Sequence, residues 1–147
     1  MAKMLFSKNE ELITITVYYR VKTNKFGVRQ YKILEEEEAK TAISNGDKDV
    51  DILTSKWAVP TWKSNSHLIR SSTFYNPSDG QNKVDWSRYQ DNIFKNCLKE
   101  WDVFDENNTI VPINADTIGS LPVVVASALL DKYEKSLSLE EEDRKKL

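Results

Sequence analysis

A run of strict alternation near the N-terminus constrains the fold more than any other feature of the chain. Between Leu12 and Val21, isoleucine, valine or tyrosine occupies every second position, and polar side chains or Tyr18 lie between them. A period of two is typical of a β-strand that buries one face. Residues 23–27 supply turn chemistry, including Gly27, which can adopt a positive φ. Residues 28–34 alternate again, so we predict a β-hairpin over residues 12–34.

This hairpin needs a second surface to cover it, because a lone two-stranded hairpin is only marginally stable in water. The cover can be the protein's own helices or a partner protein, and the sequence leaves both open. The alternating face is therefore our first candidate partner-binding surface. Its residues are Ile13, Ile15, Val17 and Tyr19.

The chain after the hairpin has mainly helical patterns. Residues 35–45 begin with four glutamates, which suit a helix N-terminus, and end at an Asn-Gly pair. Thr61 is expected to cap a helix that runs to about Ser72, and Asp85 is expected to cap an amphipathic helix over residues 86–101. A final helix is expected to begin near Leu121-Pro122, with Ser120 as its cap. Residues 47–56 remain open between strand and loop, and residues 109–113 read as a short extended segment.

These patterns predict an α+β fold, in which an N-terminal β-hairpin is followed by a small bundle of three or four helices. We expect a single domain over residues 1–136, mainly helical from residue 35, and a charged C-terminal tail over residues 137–147. The predicted core combines two helical stripes. Its members are Trp86, Tyr89, Ile93, Phe94, Cys97, Leu98, Trp101, Val125, Leu129 and Tyr133.

Charge and composition argue against several classes of protein. The chain of 147 residues has a net charge of −2, without the basic excess that nucleic-acid binders carry. No stretch approaches the roughly 20 apolar residues that span a bilayer. With Cys97 as the sole cysteine, no internal disulfide can form, and a reducing compartment is the natural expectation.

The search for catalytic chemistry returns no site. A zinc site needs about four Cys or His ligands, and the chain offers only Cys97 and His67. Cys97 lies on an apolar helical stripe, where a buried structural role is commoner than a nucleophilic one. No glycine-rich loop is present to hold a phosphate. We therefore predict a non-enzymatic protein without a catalytic site, cofactor or metal.

An aromatic and basic cluster suggests a further kind of binding. Trp57 and Trp62 flank a proline, and Lys63, His67 and Arg70 follow. Such residues can stack on single-stranded nucleic acid, so a nucleic-acid accessory protein stays as an alternative, although the absence of a basic surplus argues against it. The two tryptophans complete our set of candidate partner-binding residues.

Two stretches resemble a known family. The first joins the Trp57–Trp62 segment, Asn76-Pro77 and the Asp-Trp-Ser-Arg-Tyr run from Asp85. The second is Trp-Asp-Val-Phe-Asp-Glu-Asn-Asn from Trp101, followed by Val-Pro-Ile, Ile118 and a Leu-Pro pair. Over about residues 57–133 this pattern resembles small tailed-bacteriophage morphogenesis proteins, in particular tail assembly chaperones.

The resemblance implies a mechanism and a set of partners. Tail assembly chaperones coat the tape-measure protein and protect its apolar surface until tail-tube subunits replace them. It therefore implies a host-cytoplasmic protein that binds the tape-measure protein, tail-tube proteins or other virion subunits. A structural virion component whose hairpin joins neighbouring subunits is the main alternative, and homo-oligomerisation remains open.

Overall fold

The computed structural model describes residues 11–138. Within this range the chain forms six strands and five helices. In chain order they are β1 (Leu12–Thr23), β2 (Arg29–Leu34), α1 (Glu36–Ser44), β3 (Val50–Ala58), α2 (Trp62–Ser71), β4 (Thr73–Asn76), β5 (Gln81–Val84), α3 (Trp86–Cys97), β6 (Leu98–Trp101), α4 (Ala115–Gly119) and α5 (Val123–Leu137).

The main sheet is antiparallel and has the strand order β2-β1-β3-β6. The predicted N-terminal hairpin is confirmed, since β1 and β2 pair with Tyr18 opposite Leu34. Gly27 lies in its turn with a φ of 81°. On its other side β1 pairs with β3 from Leu12 to Arg20. The hairpin is therefore part of a larger sheet within the same chain.

The predicted helical bundle is wrong. β3 and β6 extend the hairpin into a four-stranded sheet, and β4 and β5 form a separate two-stranded sheet. The five helices are distributed among these strands and do not form a bundle of their own. Helices could not form the core alone, because the sheet supplies much of its apolar surface.

One face of the main sheet carries the larger core. Ile15, Val17, Leu53 and Trp57 from the sheet pack with buried side chains of α2, α3 and α5. The indole of Trp57 is fully buried and stacks on Tyr133 with ring centroids 4.7 Å apart. This stacking joins the central strand to the C-terminal helix.

A smaller core lies on the opposite face, where α1 packs. Ala39 of α1 contacts a cluster formed by Tyr18, Leu34 and Val50 of the sheet. The helix matches the predicted one over residues 35–45 and carries three glutamates in its first turn. Tyr18 is buried on this face, so alternate side chains of β1 serve two different cores.

Most of the predicted core is confirmed. Trp86 and Tyr89 are the exceptions, because Trp86 is 67% exposed at the first position of α3 and Tyr89 is half-buried beside it. Their rings meet edge to face, with centroids 5.6 Å apart. The buried members are Ile93, Phe94, Cys97, Leu98, Trp101, Val125, Leu129 and Tyr133.

The helix predicted over residues 86–101 ends early, at Cys97. Residues 98–101 form β6, which pairs with β3. Trp57 lies opposite Leu98 and Lys56 opposite Glu100, so Lys99 is an extra residue in a β-bulge. The bulge lets Leu98 and Trp101, three positions apart, both point into the core, which reproduces helical spacing in a strand.

Some of the predicted helix starts are confirmed and one is wrong. Thr61 and Asp85 each accept a hydrogen bond from a backbone N–H in the first turn, as predicted. The last helix starts one residue after Pro122, and Ser120 instead ends α4, which the sequence did not indicate. The single domain over residues 1–136 remains a prediction, and most of the predicted tail, from residue 139, lies outside the described residues.

Candidate protein-binding groove

β6 is one of the two edge strands of the main sheet, the other being β2. β6 is the last strand in the order β2-β1-β3-β6, and among residues 11–138 no strand pairs with its other side. An edge strand of this kind offers backbone N–H and C=O groups to an incoming strand.

An apolar groove of about 790 Å³ lies beside this edge. Residues of β3 and β6 line one side of the groove, and a segment that follows the turn at residues 105–108 forms the opposite, outer wall. This outer segment consists of Ile110, Val111, Pro112 and Ile113. Ile110 is 56% exposed, so a large apolar side chain faces solvent at the rim. Exposed apolar surface beside an open strand edge is typical of peptide-binding sites.

Two side chains fix the walls of the groove. The buried Trp101 donates a hydrogen bond from Nε1 to the carbonyl of Val111 at 2.7 Å, which holds the outer segment against β6. Asp102 accepts a hydrogen bond from the N–H of Thr54 at 2.8 Å and donates its own N–H to the Thr54 carbonyl at 3.1 Å. Asp102 thereby satisfies the backbone of β3 where the pairing with β6 ends.

The outer segment returns through a tight turn. Val111 donates its N–H to the carbonyl of Val103 at 2.8 Å, and Phe104 and Ile110 form an isolated bridge. Asp105 Oδ1 accepts hydrogen bonds from the N–H groups of Asn107 and Thr109. These bonds place a turn at residues 105–108, and the segment predicted to be extended over residues 109–113 pairs with residues 103–105 through residues 109–111.

The charges at the groove lie on its β-strand side. Lys56 on β3 and Glu100 on β6 lie opposite each other, with Nζ and Oε2 3.6 Å apart. Both side chains are more than half exposed, so this ion pair contributes little to stability. It belongs to the polar side of the groove, which faces the apolar side chains of residues 110–113.

The structure places most of the predicted partner-binding residues in the interior. Ile15, Val17 and Trp57 are buried in the main core, while Ile13 and Tyr19 are half-buried against it. The hairpin face thus packs in cis, because α5 covers it. A partner cannot reach the buried three while the protein keeps this fold.

Trp62 is the one member of that set with an exposed side chain, at 87%. It starts α2, whereas Trp57 lies in β3 with its indole N–H bonded to Ser55 Oγ at 2.8 Å. The proposed pair of stacking tryptophans is therefore split between surface and core.

The sequence patterns do not indicate the groove, because they predict a helix over residues 98–101. The local signal for this part of the groove is the run of β-branched residues at 109–113, which predicts an extended segment interrupted by Pro112. Without β6 beside it, that segment gave no indication of a binding site.

Cys97 and His67, the only cysteine and histidine of the sequence, lie in different environments. Cys97 is buried in the core, and His67 is exposed on α2. Burial, followed by the neighbouring Cys97, raises the pKa of Tyr133 well above its usual value, so the phenol stays neutral. Tyr133 donates its hydroxyl to the carbonyl of Ala58 at 2.7 Å, which is a structural role.

The described residues contain neither a cluster of metal-binding side chains nor a membrane-spanning helix. Residues 11–138 contain no group of three or more His, Cys, Asp or Glu side chains placed to hold a metal ion. None of the helices in the same range combines the length and apolar character needed to cross a membrane.

Comparisons with known proteins return no match. No protein-family model, no curated protein and no solved structure matches the chain.

Proposed function

We propose that this protein acts without catalysis, by binding an extended apolar segment of another protein at the β6 edge. We further propose that it serves phage tail morphogenesis in the host cytoplasm, as tail assembly chaperones do, with the tape-measure protein as the partner. The observation that carries the binding proposal is the open strand edge beside the apolar groove.

The residues of the family resemblance support the second part. The motif that begins at Trp101 contributes the last residue of β6 and the turn after it, and Val-Pro-Ile from Val111 forms the outer wall of the groove. The Trp101–Val111 hydrogen bond joins these two pieces. Part of the pattern that resembles tail assembly chaperones thus also lines the groove.

Binding would proceed by addition of a strand. The guest segment pairs its backbone with β6, and its alternate side chains enter the groove between Trp101 and Ile113. Each aliphatic side chain buried there contributes about 1.5–3 kcal/mol before the cost of ordering the guest. A weak, reversible complex suits a chaperone that tail-tube subunits must displace.

Photo-crosslinking in infected cells tests this proposal. A photoreactive amino acid at position 110 lies on the groove rim, and one at Val123 is the control. Val123 is an aliphatic residue that is 80% exposed and does not line the groove. We expect position 110 to crosslink to one segment of a tape-measure or other virion protein, identified by mass spectrometry, and position 123 not to do so. Equal labelling at both positions would contradict the proposal.

The crosslinked segment then allows a direct measurement. A synthetic peptide of that segment should bind the wild-type protein in fluorescence polarisation, and Ile110→Asp should weaken binding by about tenfold or more. Val123→Asp serves as the matched control and should leave the affinity unchanged. N-methylation of alternate peptide bonds in the peptide should abolish binding in one register only, because strand pairing uses every second N–H of an edge. Insensitivity to N-methylation would exclude strand addition.

A second function, as a structural virion component, is favoured by the tip of the hairpin. β1 pairs only with β2 beyond Val21, and the turn carries Phe26 and Val28, which are 78% and 57% exposed. An apolar tip beyond the sheet can insert into a neighbouring subunit. Mass spectrometry of purified particles separates the two functions. A structural component should be present in stoichiometric copies, whereas a chaperone should be abundant in the lysate and absent from particles.

A further inference from the structure

A second cavity, of about 380 Å³, lies on the core face of the main sheet near the start of α5. Three aromatic rings and two carboxylates form much of its lining. These five side chains are Tyr19, Tyr31, Phe104, Asp51 and Asp102. No lysine, arginine or histidine of the described residues lines it. The remaining lining is aliphatic, so the cavity combines apolar walls with two negative charges.

The aromatic rings present polarisable surface to the cavity. The rings of Tyr19 and Tyr31 are tilted by 49°, with centroids 6.1 Å apart. Phe104 is 52% exposed and stands at the edge of the lining. The faces of aromatic rings carry partial negative charge and attract organic cations.

The two carboxylates are held in place by neutral donors. Asp51 accepts hydrogen bonds from the N–H of Ile52 at 2.8 Å and from the Tyr19 hydroxyl at 3.4 Å. Asp102 accepts from the N–H of Thr54 at 2.8 Å. The lining of the cavity provides no cationic side chain to balance them. Both aspartates are at exposed positions, so an incoming cation can reach them from solvent.

The first turn of α5 adds an opposing but smaller charge. Pro122 and Val125 line the cavity, and a helix N-terminus carries about half of a positive elementary charge. Two full carboxylate charges exceed this, so the potential in the cavity remains negative. An anion is therefore disfavoured, and a purely apolar ligand would strip water from the carboxylates without replacing it.

A metal ion also fits poorly. Calcium takes about six to eight oxygen ligands, and here two carboxylates already bonded to neutral donors are the only charged ligands in the lining. An organic cation needs fewer direct oxygen contacts, because its charge is spread over methyl or methylene groups that contact rings.

We propose that this cavity binds an alkylammonium group, with the cation against the tyrosine rings and its charge facing Asp51 and Asp102. The group can belong to a lysine side chain of a partner protein or to a free small amine. The site is separate from the strand-binding groove, although Asp102 borders both.

Amide chemical-shift titration of the full chain tests the proposal. Choline chloride is the probe, 3,3-dimethyl-1-butanol is its neutral isostere, and sodium chloride controls for ionic strength. We expect choline alone to shift the amides of residues 19, 31, 51 and 102 in a saturable way. Equal shifts with the neutral isostere, or shifts that sodium chloride reproduces, would overturn the proposal.

Two further ligands distinguish the source of the group. Nα-acetyl-lysinamide carries the ammonium of a protein side chain, and its Nε-acetylated form has lost that charge. Binding of the charged form alone supports a lysine of a partner protein. Binding of choline without the lysine derivative supports a free quaternary amine.

Substitutions with matched controls locate the site. Tyr31→Leu keeps the apolar bulk but removes the ring, and should weaken choline binding about two- to fivefold, whereas Tyr75→Leu on β4 should not. Asp51→Asn should weaken it about fivefold, whereas Asp49→Asn, which removes an exposed charge two residues away, should have little effect. Equal effects of a variant and its control would place the cation elsewhere.

Discussion

Replacement of Trp101 by alanine tests both the core and the groove. The side chain is 6% exposed, packs in the main core and donates its indole N–H to the carbonyl of Val111. Removing a buried tryptophan side chain costs about 3–5 kcal/mol, since the cavity left behind collapses only in part. Domains of this size are stable by about 5–15 kcal/mol, so the loss is a large share.

The measurement is urea and thermal unfolding followed by circular dichroism. We expect the melting temperature of Trp101→Ala to fall by roughly 6–20 °C, from about 2–4 °C per kcal/mol. Trp101→Phe keeps most of the ring contact and loses the hydrogen bond, so it should cost only about 0.5–1.5 kcal/mol for that bond. It should also loosen the outer wall of the groove and weaken peptide binding.

Trp62→Ala is the matched control, because that tryptophan is 87% exposed. We expect it to change the free energy of unfolding by no more than about 0.5 kcal/mol. An unchanged melting temperature for Trp101→Ala would place Trp101 at the surface. Equal losses for the two alanine variants would also refute the assignment of core and surface.

Three other predictions concern stability. Ser55→Ala should cost about 1–3 kcal/mol in urea unfolding, because it leaves the buried indole N–H of Trp57 without its acceptor; no loss would mean that another acceptor replaces it. Thr61→Ala should cost about 0.5–2 kcal/mol through loss of the N-cap of α2, and an unchanged midpoint would contradict this role. Burial, with help from Asp51, raises the pKa of Tyr19 from 10.0 to about 12. The contribution of Tyr19 to the free energy of unfolding should therefore be complete below pH 10. It should fall as the pH rises towards 12, because this tyrosine loses its proton at a lower pH in the unfolded chain than in the folded one. Tyr19→Phe should flatten that alkaline slope, and an unchanged slope would exclude Tyr19 as its source.

Local signals predicted the parts of the fold that depend on neighbours in sequence. Alternation identified the hairpin, and the cap residues Thr61 and Asp85 marked the starts of α2 and α3. The period of the apolar residues identified the helical core stripes, of which Trp86 alone is largely exposed. These features are encoded within a few residues, where backbone geometry fixes which side chains share a face.

The central strand β3 illustrates a signal that the sequence carries only weakly. Its core-facing residues are Leu53, Ser55 and Trp57, and the serine interrupts the apolar alternation. Ser55 is buried because its hydroxyl donates to the carbonyl of Ile15 at 3.0 Å and accepts from the Trp57 indole. In the sequence alone, a buried serine whose hydrogen bonds are satisfied looks the same as a serine in a loop, because its partners are not yet known.

The sequence by itself thus determined the hairpin, the starts of α2 and α3, most of the helical part of the core and the segment that forms the outer wall of the groove. Tertiary structure alone decided that the face of β1 packs in cis and that residues 98–101 leave the helix to pair with β3. Leu98 and Trp101 satisfy helical spacing and, through the bulge at Lys99, also satisfy a strand with both side chains buried. Only pairing with a strand over 40 residues away in sequence separates those two states, and that pairing creates the open edge and the groove.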